Sequence, residues 1–398
     1  MAGLQEDPAV TNFRKYLRIN TVQPNPNYAE ASLYFKSLAA ELELPYKTVQ
    51  VVSGKDMCII TWTGQQPNLS SILLYSHIDV VPVFREHWRV DPFSAEKIDG
   101  NIYARGSQDM KCVGIQYIEA IRRLKKEGRK FQRTIHIIFG PDEEIGGIAG
   151  MGTFYKTDEF KQLNIGFALD EGIANPEEAF RVFYGERNCW WCTVVCPGAP
   201  GHGSAILKNT AAEKFNKVIN SFLSFRREQE QRLESNPNLT LGDVTSVNLT
   251  MVQGGVQMNV IPAELKASFD IRIPPTVNLE EFEKKINSWC KEAGEGIQLV
   301  YPVKGMNQDI TSISPDDKWW AAFSSACNNQ NMKLQTEIFP AATDSRFVRS
   351  CGIPAIGFSP MNHTPILLHD HNEYLNEDIF LRGIEIYQEI IPTLANVQ

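Results

Sequence analysis

The chain has 398 residues, 43% of them hydrophobic and 22% charged, which is typical of a globular protein with two or three hydrophobic cores. The formal net charge of −8 argues against nucleic acid as a partner, because phosphate binding requires a basic surface. No run of 18 consecutive apolar residues occurs, so no membrane span is expected.

Residues 1–8 lack the basic start and apolar core of a secretory signal peptide. The eight cysteines are scattered and do not form the framework of a small disulfide-stabilised domain. The protein is therefore expected to be cytoplasmic. The one close pair, Cys189 and Cys192, is interpreted as two small side chains on a strand, with a redox or zinc pair as the alternative.

Strands and helices alternate in the first part of the chain. Apolar runs predict strands at 72–75, 134–139 and 165–169. Apolar positions at helical spacing predict a helix over 113–124, which Gly128 terminates. This alternation predicts a mostly parallel sheet flanked by helices, an α/β fold in which ligands bind at the carboxyl ends of the strands.

The pattern changes near residue 187. Strands are predicted at 190–195, 244–252, 263–273 and 297–301, with one helix after a capping box at Thr210 and another capped by Asn278. The resulting order, β-α-β-β-α-β, predicts a ferredoxin-like α+β domain inserted into the first one. The predicted domains are residues 1–186 and 307–398 for the catalytic domain, and 187–306 for the insertion.

Five polar stretches follow apolar runs that are interpreted as strands. They are residues 76–79, 108–109, 142–144, 170–171 and 369–371. Together they contain enough carboxylates for two divalent ions and one free base. Each alone is compatible with a solvated loop, but five of them predict a metal-dependent hydrolase.

The individual stretches leave alternatives open. His77 is interpreted as a ligand and Asp79 as the group that orients it, although a solvated strand end explains both. Asp109 either bridges two cations or merely caps a helix. Three consecutive acids at 142–144 suggest that one carboxylate binds metal and a neighbour accepts a proton. Imidazole with hard oxygen ligands suits zinc, manganese or cobalt.

The chain resembles the aminoacylase/glutamate carboxypeptidase family of co-catalytic zinc hydrolases over nearly its whole length. Six stretches carry the resemblance: residues 76–82, 104–111, 141–144, 169–175, 340–344 and 357–360. The resemblance implies a zinc exopeptidase-like catalytic domain with an inserted lid and dimerisation domain, and two zinc ions per subunit. Gly203 and Ile78 depart from the residues usual in the family, and neither position is a ligand.

The resemblance also implies a role for each site residue. One zinc would be held by His77, Asp109 and Glu171, and the other by Asp109, Glu144 and His369. His369 is preferred to His371 because the family's ligand precedes a Glu by four positions, here Glu373.

Glu143 matches the family's general base, and Asp79 matches the residue behind His77. His202 resembles a histidine that enters the partner subunit's active site in a homodimer formed through the lid domain. Arg272 and Asn259 lie in stretches that resemble the family's substrate-holding strands.

The implied activity is hydrolysis of small N-acyl-L-amino acids by a zinc-dependent aminoacylase. A metallo-dipeptidase or carboxypeptidase of the same family is the alternative, but no acidic residue can be assigned to recognise a substrate's free amine. A non-catalytic binding protein with the same fold is the second rival, and it would be expected to lack Glu143 or a ligand.

Overall fold

The computed structural model describes residues 6–398, so residues 1–5 of the segment interpreted above lie outside the described part. The helices are α1 (Pro8–Arg18), α2 (Tyr28–Glu41), α3 (Lys111–Lys126), α4 (Met151–Phe154), α5 (Asp158–Gln162), α6 (Ala211–Ser235), α7 (Leu279–Ala293), α8 (Lys318–Asn329), α9 (Ser345–Arg349) and α10 (Glu377–Ala395). The strands of the first half are β1 (Tyr46–Val52), β2 (Lys55–Trp62), β3 (Ser71–His77), β4 (Glu96–Ile98), β5 (Asn101–Tyr103), β6 (Ile135–Gly140), β7 (Ile165–Asp170), β8 (Phe180–Glu186) and β9 (Asn188–Pro197). The remaining strands are β10 (Gly201–His202), β11 (Ser246–Gly254), β12 (Val260–Ile261), β13 (Glu264–Ile273), β14 (Gln298–Lys304), β15 (Leu334–Phe339), β16 (Ala355–Phe358) and β17 (Tyr374–Asn376).

The largest sheet has eight strands in the order β1-β2-β6-β3-β7-β16-β8-β15. The four central strands, β6, β3, β7 and β16, are parallel, whereas the pairs β1–β2, β2–β6 and β16–β8 are antiparallel. The predicted α/β fold class is confirmed, and the sheet is a mixed one with a parallel centre.

Both faces of this sheet are covered. On β3, Ile72 and Leu74 pack into one hydrophobic cluster, and Leu73 and Tyr75 pack into another. Because successive side chains of a strand point to opposite faces, an unbroken apolar run is what a strand buried on both sides requires. Burial on both faces makes the strand rigid and fixes where its carboxyl end emerges.

The chain divides into two compact units. Of the described residues, the first comprises 6–184, 311–336 and 343–398, and the second comprises 185–310 and 337–342. The short segment 337–342 was assigned above to the catalytic domain. It belongs to the second unit because Arg187 donates from its backbone to Phe339 and from its guanidinium to Pro340, at 3.1 and 2.7 Å.

The second unit contains β9-α6-β11-β13-α7-β14, with an antiparallel sheet in the order β11-β13-β9-β14. This is the ferredoxin-like arrangement that the sequence predicts. The capping box of Thr210 and Glu213 is formed at the start of α6. Cys189 and Cys192 lie three positions apart on β9, so their thiols point to opposite faces, and they form no disulfide bond with each other.

Among residues 6–398, no helix is both long and apolar enough to cross a lipid bilayer.

Candidate metal centre

Three of the predicted polar stretches lie at one edge of the eight-stranded sheet. His77 is the last residue of β3, Glu143 and Glu144 follow β6, and Glu171 follows β7. Because β6, β3 and β7 are parallel neighbours, their carboxyl ends meet. The prediction of a strand end is wrong for the other two stretches. Asp109 lies between β5 and α3, and His369 lies in the loop between β16 and β17.

Asp109 nevertheless lies between two histidines. Its Oδ1 is 3.0 Å from His77 Nε2, and its Oδ2 is 3.1 Å from His369 Nε2. Helix α3 has Met110 as its N-cap residue, so the structure does not adopt the helix-capping alternative. A carboxylate that presents one oxygen to each of two imidazoles has the arrangement of a bridging ligand.

Two groups of potential ligand atoms lie at this centre, and one of them includes Asp109 itself. His77, Glu143 and Glu171 form one group, and His77, Asp109 and Glu144 form the other, each with its atoms within 4.8 Å of one another. Glu144 Oε2 is also 3.0 Å from His369 Nε2. Both Glu143 and Glu144 are within reach of a metal position, so distance alone does not separate the ligand from the base.

His77 is oriented mainly by the backbone of Asp79. Its Nδ1 lies 2.9 Å from the carbonyl oxygen of Asp79 and 3.7 Å from the carboxylate. A carbonyl only accepts, so Nδ1 carries the proton and Nε2 faces the centre. The Asp79 carboxylate instead accepts the backbone N–H groups of Glu143 and Glu144, at 3.0 and 3.2 Å. Asp79 thus fixes the conformation of the loop that contains Glu143 and Glu144.

Several buried acidic side chains lie close together at this centre, and their pKa values are shifted as a result. Burial, and next the charge of Glu171, raise the pKa of Glu143 well above its ordinary value. Burial, and next the charge of Asp109, raise the pKa of Glu144 to about 7. For Asp109, burial is opposed by hydrogen bonds from His369 and His77, which lower its pKa overall. Hydrogen bonds to Asp109 and Glu144 raise the pKa of His369 to about 10.

The residues present fit a metal ion. Within residues 6–398, Glu144 Oε1 is buried and has no hydrogen-bond partner. Leaving a buried carboxylate oxygen unpaired is costly unless a cation occupies the adjacent space. His369 also adopts a left-handed backbone conformation with a φ of 62°, which is uncommon for a residue other than glycine and concentrates at functional sites.

Glu373 supports the centre in a way that the sequence did not indicate. Its fully buried carboxylate accepts the backbone N–H groups of Gly106 and Gln108, at 3.1 and 2.7 Å, and the Arg105 guanidinium at 2.7 Å. This clamp fixes the loop that carries Asp109. The Gln108 amide also donates to the carbonyl oxygen of Tyr374 at 2.8 Å.

Asp142, the first acid of the triplet, points away from the candidate ligands. It accepts a hydrogen bond from Tyr28 at 2.6 Å and pairs with Lys55. The amide of Gln23 donates to both Asp142 and Asp79, at 3.2 and 2.7 Å. Gln23, Tyr28 and Lys55 do not belong to a recognisable sequence motif. Their contacts with Asp142 become apparent only in the folded structure.

The remaining predicted site residues lie in the second unit. His202, on β10, pairs with Val260, and the backbone of Gly203 donates to the Asn259 carbonyl at 2.7 Å. His202 is exposed, and its Nδ1 lies 2.8 Å from the Ser204 hydroxyl. The segments that carry the two predicted residues His202 and Asn259 are therefore hydrogen-bonded to each other.

A mixed α/β unit whose strand ends and adjacent loops bring two histidines and several carboxylates together, accompanied by a ferredoxin-like unit, is typical of metal-dependent hydrolases. Peptidase family M20/M25/M40 matches residues 73–393. The chain belongs to this family of metal-dependent hydrolases.

The relatives confirm the predicted resemblance. The chain is 56% identical to human Aminoacylase-1 over 394 residues, which are 99% of this chain and 97% of the human one. It is 47% identical to Aminoacylase-1 of Dictyostelium discoideum, with both chains fully covered.

Solved structures show the same fold at low identity. An M20 family metallo-carboxypeptidase from Sulfolobus solfataricus is 16% identical, with a TM-score of 0.74 over 98% of this chain and all of that one. A dinuclear metal-binding M20 peptidase from Bacillus subtilis is 15% identical, with a TM-score of 0.71 over 98% of both chains.

Proposed function

We propose that this enzyme hydrolyses the amide bond of N-acyl-L-amino acids to a carboxylate and a free L-amino acid. The observation that carries the proposal is the Asp109 carboxylate between His77 and His369, with Glu143 and Glu144 beside it. The relatives named Aminoacylase-1, which match over nearly the full length, support this substrate class.

Two zinc ions per subunit are part of the proposal. His77, Asp109 and Glu171 would hold one, and Asp109, Glu144 and His369 would hold the other. Bound there, the ions would supply Lewis acidity to activate water and polarise the amide carbonyl. Support comes from the two imidazoles on one carboxylate and from the unpaired Glu144 oxygen.

Glu143 is the proposed general base. It accepts a proton from the attacking water and returns it to the leaving nitrogen, so its basicity must lie near neutral pH. The raised pKa, caused first by burial and then by Glu171, is in the required direction. The backbone N–H of Glu143 donates a hydrogen bond to Asp79 Oδ1 at 3.0 Å, and this bond helps to fix the position of Glu143.

His202 is proposed to stabilise the developing oxyanion from the partner subunit, and Arg272 is proposed to bind the substrate's carboxylate with the assistance of Asn259. The Ser204 hydroxyl engages Nδ1 of His202, so Nε2 remains the outward nitrogen. The proposed homodimer would form through the second unit. There, Met251 and Val252 are 53% and 59% exposed on β11, the last strand of its sheet.

A cytoplasmic location is also proposed. Support comes from the eight cysteines, none of which forms a disulfide bond, as is usual where thiols are kept reduced. Fractionation of cells expressing a tagged chain would test this, and recovery in the secreted fraction would contradict it.

A substrate comparison tests the function. We expect efficient turnover of N-acetyl-L-leucine and weak turnover of glycyl-L-leucine, which differs only by a free amine in place of one hydrogen of the acetyl group. Efficient turnover of the dipeptide with none of the N-acetyl compound would favour the dipeptidase alternative.

Chelation should abolish activity and added zinc should restore it, while elemental analysis should find two zinc ions per subunit.

A further inference from the structure

The four-stranded sheet of the second unit has two unlike faces. On β13, Phe269, Ile271 and Ile273 are buried in the hydrophobic cluster with residues of α6 and α7. Asp270 and Arg272 alternate with them and therefore lie on the opposite face. That face carries the arginine that is proposed to bind the substrate carboxylate.

Asp270 holds one edge of the Arg272 guanidinium. Arg272 Nε donates to Asp270 Oδ1 at 2.7 Å, and Nη2 donates to Oδ2 at 3.0 Å. Two parallel bonds of this kind fix the plane of the guanidinium as well as its position. Of the five N–H groups of an arginine, these two bond to Asp270, and within residues 6–398 the edge formed by Nη1 and the outer hydrogen of Nη2 makes no further hydrogen bond.

Trp191 holds Asp270 in turn. It stands directly opposite Asp270 on β9, and its indole Nε1 donates to Asp270 Oδ2 at 3.0 Å. The Trp191 side chain is 48% exposed, whereas its neighbour Trp190 is fully buried. Burial therefore does not account for tryptophan at position 191, but the hydrogen bond to Asp270 does.

A second cation acts on the same carboxylate. Burial, and next the charge of Arg272, lower the pKa of Arg187 to about 10. The charges of Arg272 and Arg187 both favour the ionised form of Asp270, and the pKa of Asp270 is lowered although burial alone would raise it. Two guanidinium groups around one carboxylate provide a setting that favours an additional anion.

We propose that Asp270 is a positioning residue that aims the free edge of Arg272 at the substrate's carboxylate, and that Trp191 fixes Asp270 for this purpose. The inference rests on the proposed function, because it takes the α-carboxylate of an N-acyl-L-amino acid as the anion. Substrate affinity then depends on the whole chain of contacts from Trp191 through Asp270 to Arg272.

A double-mutant cycle tests the proposal. KM and kcat for N-acetyl-L-leucine are measured for wild type, Asp270→Asn, Arg272→Lys and the double variant. Asp270→Asn should raise KM about tenfold with kcat changed less than about threefold, because only the placement of a binding group is lost. The double variant should have the KM of Arg272→Lys alone, because Asp270 acts through Arg272.

Two further variants separate positioning from folding. Trp191→Phe keeps an aromatic ring without the N–H donor, and it should raise KM in the same direction by a smaller factor. Ser268→Ala is the matched control, since Ser268 makes a polar cross-strand contact with Thr193 at 2.9 Å between the same two strands. It should leave KM unchanged, and the melting temperatures of all variants show whether they are folded.

The outcomes are distinct. If the KM effects of Asp270→Asn and Arg272→Lys multiply, Asp270 does not act through Arg272 and the inference is wrong. A lower KM in Asp270→Asn would mean that Asp270 competes with the substrate for the guanidinium, which also overturns it. If wild type fails to hydrolyse N-acetyl-L-leucine at all, the proposed function itself fails.

Discussion

Glu143 and Glu144 are adjacent in the chain but have different proposed roles, and substitution separates them. Glu143→Gln preserves the shape of the side chain but removes its ability to accept a proton. We expect an unchanged metal content and a turnover of N-acetyl-L-leucine that is lower by roughly a hundredfold or more. Glu144→Gln should instead reduce the bound metal, measured by elemental analysis. Near-normal turnover in Glu143→Gln would exclude it as the base.

Glu373 offers a second prediction for a single residue. Glu373→Gln places an amide NH₂ group where carboxylate oxygens now accept the N–H groups of Gly106, Gln108 and Arg105. At least one buried donor loses its acceptor, so the free energy of unfolding should fall by about 1–3 kcal/mol.

Chemical denaturation measures this change. Glu377→Gln is the control, because Glu377 makes a more exposed ion pair with Lys97 at 2.7 Å and should contribute little. Equal losses of unfolding free energy in the two variants would contradict the prediction that the buried contacts of Glu373 stabilise the protein more than the exposed ion pair does.

Individual site residues can be predicted from the sequence where charged side chains stand next to an apolar run that must be buried. Three acids shortly after the apolar strand β6 cannot continue a core, so the sequence predicts either a solvated loop or a site there, and the other four stretches favour the site. Glu373 acts on Gln108 from 265 positions away, and Trp191 acts on Asp270 from 79 positions away. No local pattern reveals such contacts, because they depend on which strands and loops become neighbours.

Among the elements, β6 carries a buried histidine that makes stability depend on pH. His136 is 7% exposed, and its Nδ1 lies 2.9 Å from the Thr61 hydroxyl of β2. Burial lowers the pKa of His136 from 6.5 to about 4. Between these pH values the unfolded chain binds a proton that the folded chain does not, so stability falls as the pH drops from 6.5 towards 4.

His136→Gln removes this titration. Between pH 7.5 and pH 5, wild type should lose about 2 kcal/mol more unfolding free energy than this variant. His363→Gln, at an exposed histidine, is the control and should follow wild type. An identical pH dependence of wild type and His136→Gln would contradict the prediction.

The elements were predicted well where apolar periodicity was strong, as for α3, β3 and β7. The antiparallel outer strands of the large sheet were not predicted, because strand direction depends on pairing rather than on the composition of one strand. The segment 337–342 was misassigned for a related reason. Its backbone bonds to Arg187, and nothing within the segment indicates that partner.

At the scale of the whole molecule, the proposed dimer makes a prediction about subunit mixing. His202 lies in the second unit and Glu143 in the first, and each is proposed to act in an active site shared by two subunits. If His202 acts across the dimer, one active site combines Glu143 of one subunit with His202 of its partner.

The test mixes Glu143→Gln subunits with His202→Ala subunits after dissociation and reassociation. In a mixed dimer, one site then carries both defects and the other carries neither. Random pairing makes about half of the dimers mixed, so activity should recover to about one quarter of the wild-type value. If His202 acted within its own subunit, every site would carry one defect and activity would stay at the level of the separate variants. Native mass spectrometry would establish that mixed dimers had formed, and a lack of recovery in their presence would exclude the role of His202 in the partner's site.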